Sequence, residues 1–137
     1  MNTLFRDLQE RFETLYRAIE AAVADLPAEA LDWKPAADMN SIAVIMAHTA
    51  GAWRYWVGDV AGELPSGRVR ATEFETRDVD AAELIGRLRD ALDVTREVLA
   101  GMEIAGLAEM RMAGQFNEER TAGWALLHAL EHTALHA

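Results

Sequence analysis

The chain of 137 residues is long enough for one domain with a buried core and short for two. Its 23 acidic residues outnumber 13 basic ones for a formal net charge of −10, a balance that repels nucleic-acid phosphates and anionic lipid heads. Cysteine is absent, so disulfides, thiolate catalysis and Cys-based zinc sites are excluded and any protein-derived metal site must use His, Asp or Glu.

Residues Met1–Asp7 lack a basic segment followed by an apolar run, and no stretch approaches the roughly 18 apolar residues of a membrane span. The expectation is a soluble cytoplasmic protein with neither membrane nor nucleic acid as partner. Phe5, Leu8, Phe12, Leu15, Ile19, Ala22 and Leu26 alternate steps of three and four, the stripe of a bundle helix that Pro27 closes. Leu31-Asp32-Trp33-Lys34-Pro35 reads as a connector, because proline restricts the residue before it. Asn40 or Ser41 can cap a second helix with Ile42, Ile45, Thr49, Trp53, Trp56 and Val60 on one face, ending near Gly62.

Leu64 to Asp78 is charged and contains Pro and Gly, which predicts a crossover loop with no core of its own. Asp80 with Glu83 three residues on resembles a capping box. The third helix that follows carries Ile85, Leu88, Leu92, Thr95, Leu99 and Met102. Glu103 to Arg120 has no sustained period and reads as loop with short extended pieces. Thr121 can cap a last helix in which Trp124, Leu126, Leu127, Leu130 and Leu135 are apolar nearly all round, as in a centrally buried helix. Helices are therefore predicted near residues 3–26, 41–62, 79–101 and 121–136, in a single domain over 1–137.

The four histidines are His48, His128, His132 and His136, and three of them step by four along the last helix. Each such step rotates only about 40°, so the imidazoles stack on one face and can reach one ion. Neutral imidazole is a good ligand for zinc, nickel, copper or ferrous iron. A single helical histidine is more often a core residue satisfied by one hydrogen bond. Three in an apolar helix would each need a partner, and a shared cation supplies one to several together. His128-Ala-Leu-Glu131-His132 also fits the His-x-x-Glu-His pattern of inverted zinc peptidases, with Glu131 as general base, but no acidic ligand follows it. Among the other residues, Trp33, Trp53, Trp56 and Trp124 could line a pocket, with core the better reading for Trp53 and Trp124. Tyr55 could bond a ligand, and Arg54, Arg111 and Arg120 could pair with a carboxylate.

Leu31-Asp32-Trp33-Lys34-Pro35, Ser41-Ile42-Ala43, Ala47-His48-Thr49-Ala50-Gly51 with Trp53 and Trp56, Gly62-Glu63, and Leu127-His128-x-x-Glu131-His132-x-x-x-His136 follow one another as in DinB-like proteins. The sequence resembles that superfamily over essentially its whole length. The resemblance implies an all-α fold, a four-helix bundle with a long crossover connection, usually paired as a homodimer. It implies His48, His132 and His136 as ligands of a divalent metal ion, zinc or nickel foremost, with iron or manganese as further candidates. His128 matches an extra position one turn earlier. The family pattern continues past the last histidine with Gly-Gln, whereas this sequence ends at Ala137, so His136 is expected on a fraying turn.

Characterised relatives include thiol-dependent transferases and maleylpyruvate isomerase-like proteins that use low-molecular-weight thiols such as mycothiol or bacillithiol. The implied function is a metal-dependent thiol S-transferase or hydrolase acting on a small-molecule substrate with a thiol cosubstrate. The alternative is a non-catalytic metal- or ligand-binding bundle of a stress response.

Overall fold

The computed structural model describes all 137 residues, and four long helices dominate it. Helix α1 (Thr3–Val23) starts where the Asn2 side chain accepts the Leu4 N–H, and it buries Phe5, Phe12, Tyr16, Ile19 and Val23. A single turn, α2 (Ala28–Asp32), leads to α3 (Ile42–Arg54), which Ser41 caps through the Val44 N–H. The helix then widens into a π-helical segment, Tyr55–Ala61. After the short α4 (Arg70–Glu73) comes α5 (Ala81–Gly101), capped by Asp80 at the Glu83 N–H. A hairpin of β1 (Met110–Ala113) and β2 (Glu118–Thr121) precedes α6 (Ala122–His136), capped by Thr121.

Side-chain pairings fix the helix directions. Glu13 meets Arg96 and Tyr16 meets Arg89, so α1 and α5 are antiparallel. Gly58 faces Val94 and Gly62 faces Val98, so α3 and α5 run parallel. His48 meets His132 while Trp56 meets Trp124, so α6 opposes α3 and the order is up-down-down-up. Two parallel neighbours can be joined only by a connection that returns along the bundle. Residues 62–80 are that crossover, and they contain the Leu64–Asp78 stretch expected to form it.

Trp53 lies at the centre, fully buried and stacked on Phe12 at 5.1 Å between ring centroids. Its indole N–H donates to the Thr95 hydroxyl at 2.7 Å, and that hydroxyl donates to the Ala91 carbonyl at 2.8 Å. The core's largest polar handle is thus satisfied, where an orphaned donor would cost about 1–3 kcal/mol.

Several expectations need correction. Helix α1 ends at Val23 rather than near Pro27, with Tyr16 and Val23 in its buried stripe and Ala22 exposed. The supposed connector at Leu31 begins inside α2. Of the face expected on the second helix, Thr49, Trp53, Trp56 and Val60 are buried but Ile42 is exposed, and α3 also buries Ala43, Ala47 and Ala50, because α5, α6 and α4 enclose it on several sides. Helix α6 is not buried all round: Leu127 and Leu135 are 62 % and 76 % exposed. The crossover has no core of its own, as expected, but it is not all loop: it carries the single turn α4 and buries the Glu73 side chain. The short extended pieces expected in residues 103–120 are the two strands of the hairpin, accompanied there by two 3-10 turns and by Asn117, left-handed at φ 51° before β2.

Candidate metal centre

Antiparallel packing of α3 on α6 places His48, at the middle of α3, opposite the last two turns of α6. The Nε2 atoms of His48 and His132 lie 3.1 Å apart. The His136 ring centroid is 4.6 Å from that of His132 and 5.6 Å from that of His48. One ring nitrogen from each of the three histidines falls within 4.8 Å of the other two.

Two nitrogens about 2.1 Å from one ion can be at most about 4.2 Å apart. The His48–His132 pair satisfies this, and a ring nitrogen of His136 lies close by, within 4.8 Å of both. The donor chemistry also fits. Burial and then the neighbouring imidazoles His136, His48 and His128 pull the His132 pKa from 6.5 down to about 4. Burial, followed by the His48 charge, lowers His136 as well. Both are therefore neutral lone-pair donors at neutral pH. His132 Nδ1 is buried with no partner.

The crossover supplies the back of the site. His48 Nδ1 lies 3.1 Å from Glu73 Oε1, and Arg68 grips the same carboxylate through Nε at 2.7 Å and Nη2 at 2.9 Å. Phe74 packs on the His48 ring at 5.1 Å. Behind Glu73 lies Gly51, one turn along α3 from His48, where a Cβ would overlap the Glu73 carboxylate. Gln115, at the hairpin tip, donates its backbone N–H to the Tyr55 hydroxyl and its amide to the Arg68 carbonyl. The hairpin thus braces the crossover segment that carries Arg68.

The remaining histidine points elsewhere along the row. His128 stacks on Trp124 at 4.7 Å and meets Trp56 edge-on, and Glu131 is exposed, so the peptidase-like arrangement is not assembled. The aromatic residues part company as well: Trp53 and Trp56 are buried, Trp124 half-buried, and Trp33 66 % exposed. Tyr55 is buried and engaged by Gln115 rather than free for a ligand. Arg54 is held by Asp59 and the Leu64 carbonyl, Arg111 by Glu109, and Arg120 by Glu118 while it covers Trp124.

The sequence profile of the DinB superfamily matches residues 11–137. The chain belongs to the DinB superfamily. Its fold is also that of a conserved protein of a locus from Enterococcus faecalis, whose crystal structure superposes with a TM-score of 0.74 at 14% identity, over 99% of this chain and 92% of that one. At that identity the likeness speaks for the fold alone. No curated protein matches the sequence. No helix is long and apolar enough to cross a membrane.

Glu73 and Arg68 are the site residues that sequence reasoning missed. Their one hint was Gly51 beside His48, a missing side chain that calls for something to fill its place.

Proposed function

We propose that this DinB-superfamily chain binds one divalent transition-metal ion on His48, His132 and His136. We further propose that it uses the ion as a thiol S-transferase or hydrolase acting on a small molecule. The observation that carries the reading is the convergence of three imidazoles from two helices, one of them on a solvent-exposed last turn. Three protein ligands leave a position for an exchangeable group, which is the pattern of catalytic rather than structural sites. An ion of this kind lowers the pKa of a bound water or thiol toward neutrality.

The chain's own residues then bind and position. His132 and His136 present neutral nitrogens, for which protons compete only in acid. The Phe74 ring covers one side of His48, while the exposed His136 marks the open side where a small molecule can enter. With no cysteine in the chain, a sulfur nucleophile must arrive as a low-molecular-weight thiol cosubstrate. The reading includes a single domain over residues 1–137 and a homodimer, for which the exposed Leu127 and Leu135 on α6 are candidate contacts.

Metal analysis after loading with zinc or nickel tests the site. One ion per chain is expected, lost in His48→Ala, His132→Ala and His136→Ala and kept in His128→Ala. Loss in His128→Ala alone would shift the site by one helical turn, and retention in all four variants would refute it. A screen of loaded protein with small thiols and electrophilic or hydrolysable substrates tests the chemistry. Metal binding without turnover across that screen would favour the non-catalytic bundle.

A further inference from the structure

We infer that Glu73 is a positioning residue that fixes the tautomer and aim of His48, and that the crossover and Gly51 exist in this form to deliver it. The inference rests on the metal reading above for its purpose, although the tautomer can be observed without any metal.

A carboxylate is an acceptor only, so the 3.1 Å contact requires the proton of His48 on Nδ1. The Nε2 lone pair is then the one directed at His132 and the shared position. Which nitrogen of a histidine can ligate is set by the hydrogen bond the other makes, and such outer partners also hold the ring in place. His132 provides the contrast within the same site. Its Nδ1 has no partner, and its Nε2 faces the His48 lone pair, so in the metal-free chain His132 carries its proton on Nε2 and must move it to Nδ1 before Nε2 can ligate. His48 is therefore the pre-set ligand of the three.

The surroundings of Glu73 are those of a built device. Its side chain is 9 % exposed and that of Arg68 is 5 %, although neither residue lies in a long helix. Burying such a pair costs desolvation that mutual attraction often fails to recover, so it is a poor way merely to hold a loop down. Arg68 occupies both carboxylate oxygens, which prevents the carboxylate from turning away from His48. Gly51 leaves the space that the carboxylate fills, and any side chain there would push Glu73 off the imidazole.

The test uses the full-length metal-free protein labelled with nitrogen-15. Long-range proton–nitrogen correlation at pH 7.5 reads the tautomer of each imidazole, the His48 signals being those lost in His48→Asn. We expect wild-type His48 to carry its proton on Nδ1, and both Glu73→Gln and Gly51→Ala to shift it toward a mixture with the Nε2 form. Zinc affinity, measured by competition with a chelating dye, should fall by roughly 10–100-fold in both variants. Should Gly51→Ala fail to fold, the near-isosteric Glu73→Gln decides alone. If Glu73 only anchored the crossover, the variants would melt earlier while the His48 tautomer and zinc affinity stayed as in wild type, and the inference would fall. A wild-type His48 protonated on Nε2 overturns it directly. A wild type that takes up no zinc overturns the metal reading instead, and the spectrum still decides whether Glu73 orients His48.

Discussion

The metal-free protein should lose stability between pH 7.5 and pH 5.0, with His132 as a principal cause. In the folded chain its pKa is depressed from 6.5 to about 4, first by burial and then by the charges of His136, His48, His128 and Arg68. Unfolded, the same imidazole takes up its proton near pH 6.5. The unfolded state therefore binds more protons throughout the window between those values. The stability associated with neutral His132 is fully present above pH 6.5 and drains away as pH falls toward 4. Integrated from pH 7.5 to 5.0, a pKa difference of that size corresponds to about 2 kcal/mol, reduced to roughly 1–2 kcal/mol because the ring is only partly buried. His136 and His128 are also shifted downward by burial, so they act in the same direction. Urea unfolding followed by circular dichroism, with a chelator present, measures the effect at both pH values in wild type and His132→Gln. The wild type should lose roughly 1–2 kcal/mol more than the variant over that interval. Equal losses in the two proteins would refute the assignment. Zinc added at pH 7.5 should raise the wild-type midpoint, by about 2.7 kcal/mol at a hundred times its dissociation constant, and the gain should fade toward pH 5 as protons compete for the same nitrogens.

Three further outcomes are expected. Thr95→Val keeps the shape of the side chain but leaves the buried Trp53 indole N–H without its acceptor, and should cost about 1–3 kcal/mol in denaturant unfolding. A cost near zero would mean that the indole finds another partner. Asn117→Val places a β-branched residue at the left-handed φ of 51° before β2 and should lower the melting temperature, whereas Asn117→Gly should not. If wild type is a dimer by light scattering at micromolar concentration, Leu127→Glu with Leu135→Glu should yield the monomer, and a monomeric wild type refutes the pairing.

What the sequence reveals about the bundle follows from how much of each helix touches its neighbours. Helix α5 repeats Ile85, Leu88, Leu92, Thr95 and Leu99 at bundle spacing, and all five are buried. Where a helix is enclosed on several sides, the period is lost. Helix α3 buries Ala43, Ala47 and Ala50, small residues that carry no directional signal, and exposes Ile42. Apolar composition likewise does not say which face of α6 is covered: Leu126 is buried and Leu127 is not. The hairpin was concealed by β2, whose Glu118, Glu119, Arg120 and Thr121 present no alternation of apolar and polar residues.

The histidines were legible for a different reason. Two of the three converging side chains share one helix, and a step of four residues is a statement about geometry that needs no tertiary information. Glu73 has no such local signature. It lies 25 residues from His48 in a segment of mixed charge, and it reaches that ring only because α3 and α5 run parallel. The connection between parallel neighbours has to pass back along α3, and it therefore sweeps past the one face where a glycine leaves room beside His48. An antiparallel α3–α5 pair could be closed by a short turn, and Glu73 would then have no path to the site. The topology that makes the crossover obligatory is thus also what brings a carboxylate behind His48, and neither fact can be read from the residues of the crossover alone.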